Sequence, residues 1–422
     1  MCHLDLHCNF KSNAMNIQMM CIAVLASCSL SAQHMGTYAN HTLHSEAFGK
    51  EREIKVFMTS AVQGHAAGEY PVLYVFDGQF EPFWGMVTQT VNYLSSIEKF
   101  PQMIVVGIST EHRPREFTPT AEDPRTPKDW GDTPTGESAL LTAHLADEVF
   151  PFIESQYRTL PLRMAIGHSL GGTFVTHSVL GNEGLFNAVI SVSPNMAYDY
   201  QLLPKKLGRI LESGEVPKAW HYMGAGTVGS MENAFRQGAE MADSIYRAHP
   251  HPNLIWHYKT YEGLDHMNTP IALMLDGFAA FQAFWNIDDR AMDDMLADTS
   301  KTYLAHLQAH YRRLSDWAGY DIELRADEIN ELAYVAVFEE RWTDALEVIN
   351  WGIALHPTDA NLYDSRGECL EHLGDLRGAL DGYQRALEVL GASPGLYDEA
   401  QRAYYEEAFT ENATRVRGLL ED

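Results

Sequence analysis

The sequence predicts an α/β domain, with a mostly parallel sheet covered by helices on both faces, followed by an all-α domain. Three observations indicate this. Between residue 43 and residue 287, short apolar runs alternate with helix-like segments, as parallel strands buried on both faces require. From residue 288 to residue 422 the segments have helical character throughout. Within that second region, small and apolar residues recur at a spacing of 34 residues.

Size and charge set the broad class of the protein. The 422 residues are enough for two domains, and 45% hydrophobic with 21% charged residues is typical of globular chains. The net charge of −27 argues against nucleic acid and anionic membranes as partners, because both would repel the protein.

The first 32 residues resemble an export signal. Residues 17–30 form a mostly apolar segment, too short to span a bilayer comfortably, and small and polar residues follow it. Within it, Leu25-Ala26-Ser27-Cys28 resembles a bacterial lipobox, which would make a lipid on Cys28 the one membrane anchor; the alternative is plain cleavage near Ala32. We therefore expect an exported bacterial protein, either periplasmic or anchored to the outer membrane. Once the signal is removed, Cys369 alone remains, and no internal disulfide can form.

The predicted elements of the first domain follow in order. A long amphipathic helix covers 139–156, and residues 113–134, rich in Pro, Thr and Asp, are predicted to form a long irregular loop of functional importance. The predicted strands are Ile54–Met58, Val72–Phe76, Met103–Ile108, Met164–Ile166, Ala188–Val192, Trp220–Met223 and Ile255–Tyr258.

The hexapeptide Gly167-His168-Ser169-Leu170-Gly171-Gly172 carries the chemistry. It lies between the apolar run 164–166 and a helix-like segment, the context in which Gly-x-Ser-x-Gly forms a nucleophile elbow. A serine at the tip of so tight a turn is strained, and side chains at the flanking glycines would collide with the neighbouring strand and helix. Ser169 is therefore the predicted nucleophile, and the backbone N–H of Leu170 is a predicted oxyanion donor at the helix N-terminus.

A serine hydroxyl needs a base, and in this fold the histidine comes last in chain order. His266 follows the last predicted strand and is the predicted base. The orienting carboxylate is expected soon after the strand 220–223, where Glu232 is the nearest acid. Asp243, Asp265 and a Ser-His dyad without an acid remain as alternatives.

The second oxyanion donor is expected in the loop after the strand 72–76, where we choose the backbone N–H of Gln79. Asp77, Arg113 and Tyr198 are expected to contact the substrate. No set of His, Cys and carboxylates has metal-ligand spacing, and no Gly-rich phosphate loop occurs in the sequence. We therefore expect neither a metal nor a cofactor.

With these residues identified, the segment 43–284 resembles the esterase family that includes enterobactin-type siderophore esterases, feruloyl esterases and mycolyltransferases. The resemblance implies an α/β-hydrolase fold, with Ser169 as nucleophile, His266 as base, and Leu170 and Gln79 as oxyanion donors. The sequence departs from the family pattern at two places. Many relatives carry an acid at the place of Thr227-Val228, and this sequence does not. Relatives also often carry tryptophans after their Ser-Pro motif, where this sequence has Asn195-Met196-Ala197. The segments that carry the resemblance are Tyr70–Gly78, Val105–Ile108, Arg113–Thr120, Gly167–Gly172, Ser191–Pro194 and Asp265-His266.

The 34-residue spacing in the second domain resembles the tetratricopeptide repeat. Ala345 and Leu346 recur as Ala379 and Leu380, and Pro357 closes the first unit. Two such units and a final helix would bind a protein partner or the first domain. The leading functional hypothesis is a serine carboxylesterase acting on a small-molecule ester through an acyl-enzyme. The alternatives are an acyltransferase with the same nucleophile, and a non-catalytic scaffold acting through the helical repeats.

Overall fold

The computed structural model of the protein describes residues 36–64, 68–181, 184–393 and 395–421. The strands of these residues are β1 (Thr37–Ser45), β2 (Lys50–Met58), β3 (Tyr70–Phe76), β4 (Ile104–Ile108), β5 (Thr159–His168), β6 (Ala188–Val192), β7 (Ala219–Val228) and β8 (Leu254–Asp265). They form one sheet in the order β1-β2-β4-β3-β5-β6-β7-β8. The pairs β1–β2 and β2–β4 are antiparallel, and every other neighbouring pair is parallel.

Helices connect the strands and continue beyond them. In the first part of the chain they are α1 (Ser60–Gly64), α2 (Glu81–Ser96), α3 (Arg113–Phe117), α4 (Thr126–Trp130), α5 (Ser138–Ala143), α6 (Phe150–Gln156), α7 (Leu170–Leu180), α8 (Tyr198–Ser213), α9 (Ser230–Ala248) and α10 (Thr269–Trp285). Beyond them lie α11 (Asp289–Ala297), α12 (Tyr303–Ala318), α13 (Ala326–Phe338), α14 (Trp342–Leu355), α15 (Ala360–His372), α16 (Leu376–Ala392) and α17 (Glu399–Glu421).

The central strands explain why the sheet is parallel and covered on both faces. All residues of β3, β4 and β6 are buried, so both faces of these strands lie under helices. Continuous apolar runs such as Val72–Phe76 satisfy that requirement, whereas an alternating strand would bury polar side chains. The predicted α/β-hydrolase fold followed by an all-α region is confirmed.

Several element bounds differ from the prediction. The edge strand β1 was not predicted, because its alternating side chains are largely exposed and polar. Strands β7 and β8 run well beyond the predicted 223 and 258, since their pairing continues as far as Val228 and Asp265. The segment 113–134 is not wholly irregular, because it contains α3 and α4. The predicted helix 139–156 is divided by a π-helical turn, His144–Val149.

The chain divides into two compact units, with the division between Phe284 and Trp285. In the second unit, α13 packs on α14 and α15 on α16. The recurring residues Ala345 and Ala379 are both fully buried. A Cβ atom on Gly367 would lie 2.6 Å from the ring of Tyr383, so glycine is what lets α15 and α16 approach this closely. The assignment as a tetratricopeptide repeat stays a prediction.

The predicted export signal, residues 1–32, and the lipobox cysteine Cys28 lie outside the described residues. Within the described ranges, no helix has the length and apolar character needed to cross a bilayer.

Candidate active site

Ser169 lies at a sharp turn between β5 and α7. Its backbone has φ 60° and ψ −121°, a conformation that costs a non-glycine residue about 1–3 kcal/mol. The Ser169 N–H donates to the Val192 carbonyl oxygen at 2.8 Å, which fixes the turn against the neighbouring strand β6. A Cβ atom on Gly167 would lie 2.4 Å from the Gly171 carbonyl, so the turn requires glycine there. The sequence therefore folds into the strained elbow that the motif predicts.

His266 follows the last residue of β8 and is 9% exposed. Its Nδ1 lies 2.6 Å from Oε2 of Glu232. The ring edge of Phe235 packs against the imidazole, with the ring centroids 5.4 Å apart. The structure thus brings together the histidine and the carboxylate that the sequence analysis selected, although 34 positions separate them in the chain.

Glu232 is 1% exposed, in the first turn of α9, which begins just after the extended strand β7. Its other oxygen, Oε1, accepts hydrogen bonds from the Ser193 hydroxyl at 2.7 Å and from the Gly226 N–H at 2.5 Å. Burial is the largest influence and raises the pKa of Glu232, but the three hydrogen bonds together outweigh it and hold the pKa below its usual value. The carboxylate is therefore anionic and fully partnered.

The alternative acids have other partners. The Asp265 carboxylate accepts hydrogen bonds from the backbone N–H groups of Met267 and Asn268, at 2.9 and 3.0 Å. Asp243 forms an ion pair with Arg247 at 2.8 Å. Both carboxylates are thus engaged away from the His266 imidazole, which favours Glu232 as the orienting acid.

Within the described part of the chain, no hydrogen bond joins the Ser169 hydroxyl to His266. In serine hydrolases this contact often tightens only when the substrate binds. The two residues are linked through His168, whose Nε2 donates to the His266 carbonyl oxygen at 2.9 Å. The rings of His168 and His266 pack together with centroids 4.5 Å apart.

His168 is a site residue to which the sequence analysis assigned no role. Burial, and after it the neighbouring His266 ring, lowers the pKa of His168 to about 3. Its imidazole therefore stays neutral and keeps the Nε2 hydrogen that positions the His266 backbone. The adjacency of His168 to Ser169 in the elbow was the available signal, but adjacency alone does not tell which way a side chain turns.

Acidification is expected to destabilise the first unit between about pH 6.5 and pH 3. Burial lowers the pKa of both His168 and His221 to about 3, so both imidazoles stay neutral in the folded state. In the unfolded chain they take up protons below about pH 6.5. The unfolded state then binds more protons, and each histidine removes about 1.4 kcal/mol of stability per pH unit in this window. Urea unfolding between about pH 7.5 and pH 5, followed by tryptophan fluorescence, measures the slope.

The matched controls are His221→Gln and His249→Gln. His221→Gln removes a fully buried histidine and should reduce the dependence of stability on pH. His249→Gln replaces an exposed histidine and should leave that dependence unchanged. An equal slope in all three proteins would show that the buried His221 imidazole does not contribute to the acid lability.

The predicted oxyanion donors lie on two adjacent loops. Leu170 begins α7, where backbone N–H groups have no partner inside the helix. Gln79 lies in a tight turn closed by the Phe80 N–H donating to the Asp77 carbonyl oxygen at 2.8 Å. The Gln79 side chain anchors this turn, since its Oε1 accepts from the Thr110 N–H at 2.9 Å. A Cβ atom on Gly171 would lie 3.5 Å from Oδ2 of Asp77, so the turn adjoins the elbow.

Two of the three residues predicted to contact substrate form an ion pair with each other. Arg113 Nε donates to Oδ1 of Asp77 at 2.8 Å, and Arg113 Nη2 donates to the His168 carbonyl oxygen at 3.2 Å. Asp77 is 5% exposed, and burial raises its pKa despite the neighbouring guanidinium. This pair therefore fastens the Gln79 turn to the elbow. The third residue, Tyr198, is 3% exposed, with its hydroxyl donating to the Pro119 carbonyl oxygen at 2.9 Å.

A buried ion pair holds α3, and with it Arg113, in place. The Arg52 and Glu116 side chains are 2% and 3% exposed, and Arg52 Nη2 lies 2.6 Å from Oε2 of Glu116. Oε1 of Glu116 also accepts from the backbone N–H groups of Glu111 and His112. The pair thus fixes the loop that leads from β4 into α3.

Replacing Arg52 by methionine is expected to lower the free energy of unfolding by about 3–5 kcal/mol, because it leaves the Glu116 carboxylate buried without its counter-charge. Urea unfolding measures the change. The double variant Arg52→Met, Glu116→Leu should recover much of the loss. Lys50→Met, which breaks the exposed pair with Glu111, should cost at most about 1 kcal/mol. A single variant as stable as the wild type would contradict the assigned role of the pair.

Among the described residues, no group of three or more His, Cys, Asp or Glu side chains is arranged to hold a metal ion. The arrangement that the structure does provide is a strained serine next in the chain to His168, whose ring packs against His266, and a His266 imidazole with Nδ1 bound to a buried carboxylate. Such a set of groups can pass a proton from a hydroxyl to a leaving group.

Comparison with known sequences supports this description. Residues 45–254 match the sequence model of the family described as "Putative esterase". The curated ferri-bacillibactin esterase BesA of Bacillus subtilis (strain 168) is 27% identical over 173 residues, which are 37% of this chain and 58% of that protein. The chain therefore spans less than two thirds of the length of this relative.

Solved structures share the fold at low identity. An IroE-like serine hydrolase from Shewanella oneidensis aligns with a TM-score of 0.61 and 18% identity, covering 75% of this chain and 99% of its own. An uncharacterised protein from Capnocytophaga ochracea DSM 7271 aligns with a TM-score of 0.66 and 16% identity, covering 90% of this chain and 100% of its own. At these identities the likeness concerns the fold alone. The segment 45–254, just under half of the chain, thus matches this esterase family.

Proposed function

We propose that the protein hydrolyses carboxylic esters of small molecules, with Ser169 as nucleophile, His266 as general base and Glu232 as orienting acid. The observation that carries the proposal is the 2.6 Å contact between His266 Nδ1 and the buried, anionic Glu232, on a histidine whose ring packs against His168, the chain neighbour of a serine held at φ 60°.

The proposed reaction begins when the Ser169 Oγ attacks the ester carbonyl carbon and the His266 Nε2 takes the hydroxyl proton. Glu232 accepts the hydrogen bond from Nδ1, which sets the tautomer and stabilises the imidazolium that forms. The oxyanion faces the backbone N–H groups of Leu170 and Gln79, and a fixed donor of this kind is worth about 2.7–4 kcal/mol.

The second half of the reaction reverses the proton's path. The imidazolium gives its proton to the departing alkoxide, which leaves as the alcohol, and the acyl group remains on the Ser169 oxygen. A water molecule then gives a proton to His266 Nε2 and attacks the acyl carbonyl. The carboxylic acid is released, and the proton returns to the Ser169 oxygen.

The substrate class rests on the family and its members. The family is described as esterases, and the Bacillus subtilis relative is named as an esterase of ferri-bacillibactin. From these names we carry over to this chain only two properties. These are the reaction, which is the cleavage of a carboxylic ester, and the small size of the substrate. After the Ser193-Pro194 motif, this chain has Asn195-Met196-Ala197 where relatives often have tryptophans. We therefore expect its ester to differ from those of these relatives.

A fluorophosphonate probe tests the proposal directly, because it phosphonylates only a serine activated by a base. We expect one label per chain, located at Ser169 by peptide mass spectrometry, and a strong loss of labelling in His266→Ala. A Ser155→Ala variant, which replaces an exposed serine, should label like the wild type. A folded protein that does not label would contradict the proposal and support a non-catalytic role.

A further inference from the structure

The carboxyl edge of the sheet holds a cavity of about 310 Å³ beside the elbow. Its connection to the elbow runs through the loop after β6. Val192 accepts the Ser169 N–H, and a Cβ atom on Gly172 would lie 3.3 Å from the Pro194 Cα atom. The residues that line the cavity are Thr126, Asp129, Trp130, Asn195, Ala197, Tyr198, Asp199 and Tyr200.

One wall of the cavity is built by an unusual turn. Asp199, Tyr200 and Gln201 have φ values of 50°, 54° and 66°, so three consecutive residues other than glycine are left-handed. Each such residue costs about 1–3 kcal/mol and persists only where its surroundings hold it, and backbone strain of this kind clusters at functional sites. The turn is the first feature that sets this cavity apart from an ordinary surface groove.

The Asp199 carboxylate stabilises this left-handed turn. It is 6% exposed and accepts hydrogen bonds from the Glu122 N–H at 2.7 Å, the Asp123 N–H at 3.1 Å and the Thr126 hydroxyl at 2.5 Å. These contacts bind the strained turn to the segment that carries α4. The cavity is therefore a rigid structure, and both of its walls are fixed by one buried carboxylate.

Asn195 is the feature that points to a ligand. Its side chain is buried, with 9% of the residue exposed, and its Oδ1 has no hydrogen-bond partner among the described residues. An unsatisfied buried carbonyl oxygen costs about 1–3 kcal/mol, so it is retained where something else satisfies it. Asn195 also lines the cavity, so the buried oxygen that lacks a donor belongs to a residue of the cavity wall.

The charge and shape of the lining restrict that group. The lining contains two carboxylates, Asp129 and Asp199, and no lysine or arginine. Three aromatic residues, Trp130, Tyr198 and Tyr200, supply apolar surface. The guanidinium of Arg125, from outside the lining, lies 3.6 Å from the ring centroid of Tyr200, so one aromatic face already accepts a cation. The two carboxylates of the lining outnumber this one neighbouring guanidinium, so a carboxylate or phosphate is disfavoured here relative to a neutral or cationic donor.

We propose that this cavity binds the part of the ester that lies beyond the reacting carbonyl, and that it selects a substrate carrying an uncharged or cationic hydrogen-bond donor, a hydroxyl or an ammonium group, for Asn195 Oδ1. The proposal rests on the proposed function, since it assigns the substrate preference of the same active site. Asn195 is thus a specificity residue: it accepts from the substrate and has no part in proton transfer.

The test compares esters that differ in one terminal group. Two series are used, one varying the acyl chain of p-nitrophenyl esters and one varying the alcohol of butyrate esters, each ending in methyl, hydroxymethyl, aminomethyl or carboxylate. In one of the two series, kcat/KM of the wild type should be at least about tenfold higher for a donor-bearing ester than for its methyl counterpart, because only the donor satisfies the buried oxygen. The carboxylate ester should be the poorest of the four.

Asn195→Leu should abolish the ratio between donor-bearing and methyl esters. Asn195→Asp, which keeps an acceptor oxygen, should retain it and increase it for the ammonium ester. The ratio does not depend on the fraction of folded enzyme, so a partly unfolded variant still gives an answer. Asn350→Leu, on the exposed face of α14, is the matched control and should behave as the wild type.

Equal rates for donor-bearing and methyl esters in both series, or a ratio that persists in Asn195→Leu, would overturn the proposal while ester hydrolysis itself stands. Binding of the same esters to Ser169→Ala, measured by calorimetry, separates the two hypotheses. A donor preference there that requires Asn195 supports the cavity assignment even without turnover, and its absence contradicts the assignment. The absence of turnover in the wild type would overturn the proposed function alone.

Discussion

Replacing Ser169 by alanine is expected to reduce the turnover of p-nitrophenyl butyrate by about a millionfold, the loss typical of removing the nucleophile of a serine hydrolase. The substitution removes one oxygen and keeps a Cβ atom at φ 60°, so the backbone strain of the elbow is unchanged. Because the oxyanion donors and the cavity remain, some rate above the uncatalysed reaction persists. The measurement is kcat at saturating ester.

Circular dichroism and the urea midpoint serve as the control for folding, and Ser155→Ala controls for the loss of any serine hydroxyl. If Ser169→Ala retained more than about a hundredth of the wild-type rate, another group would be the nucleophile, since triad serines contribute far more than that.

Replacing Glu232 by glutamine is expected to lower kcat by about a thousand- to ten-thousandfold, less than the loss of Ser169. Oε1 of the glutamine can still accept from the Ser193 hydroxyl and the Gly226 N–H. Its NH₂ group then faces His266 Nδ1 and donates to it. This forces the imidazole hydrogen onto Nε2, so the ring cannot take the serine proton. Comparing the kcat–pH profiles of the two proteins measures the effect.

Glu240→Gln, further along α9, is the matched control and should leave the profile unchanged. An unaltered rate in Glu232→Gln would favour a Ser-His dyad or another acid.

The parts of this molecule that the sequence predicts well are those with a local cause. The strand 72–76 is a continuous apolar run, and the elbow combines three glycines with a serine between a strand and a helix. Both patterns can be recognised from residues that are neighbours in the sequence. The His266 loop was placed by chain order, and Glu232 by its position after a strand.

The parts that sequence reasoning missed depend on distant contacts. The predicted strand ends at Met223, before Gly224-Ala225-Gly226, a segment of low strand propensity, yet pairing with β8 carries β7 to Val228. A Cβ atom on Gly226 would lie 2.2 Å from the Leu264 carbonyl oxygen, so glycine allows β7 and β8 to approach closely where β7 leads to Glu232. The contact of His168 with His266, and the bond between Arg113 and Asp77, likewise join segments far apart in the chain.

The order of the strands has a consequence for the moment at which activity arises. Ser169 and its elbow depend on β5 and β6, but the imidazole of His266 comes after β8, at the edge of the sheet, and its carboxylate comes after β7. During synthesis the serine therefore leaves the ribosome before Glu232 and His266 do. If these residues have the roles proposed above, a chain arrested before residue 266 carries a serine without its base, and we expect it not to react with a fluorophosphonate.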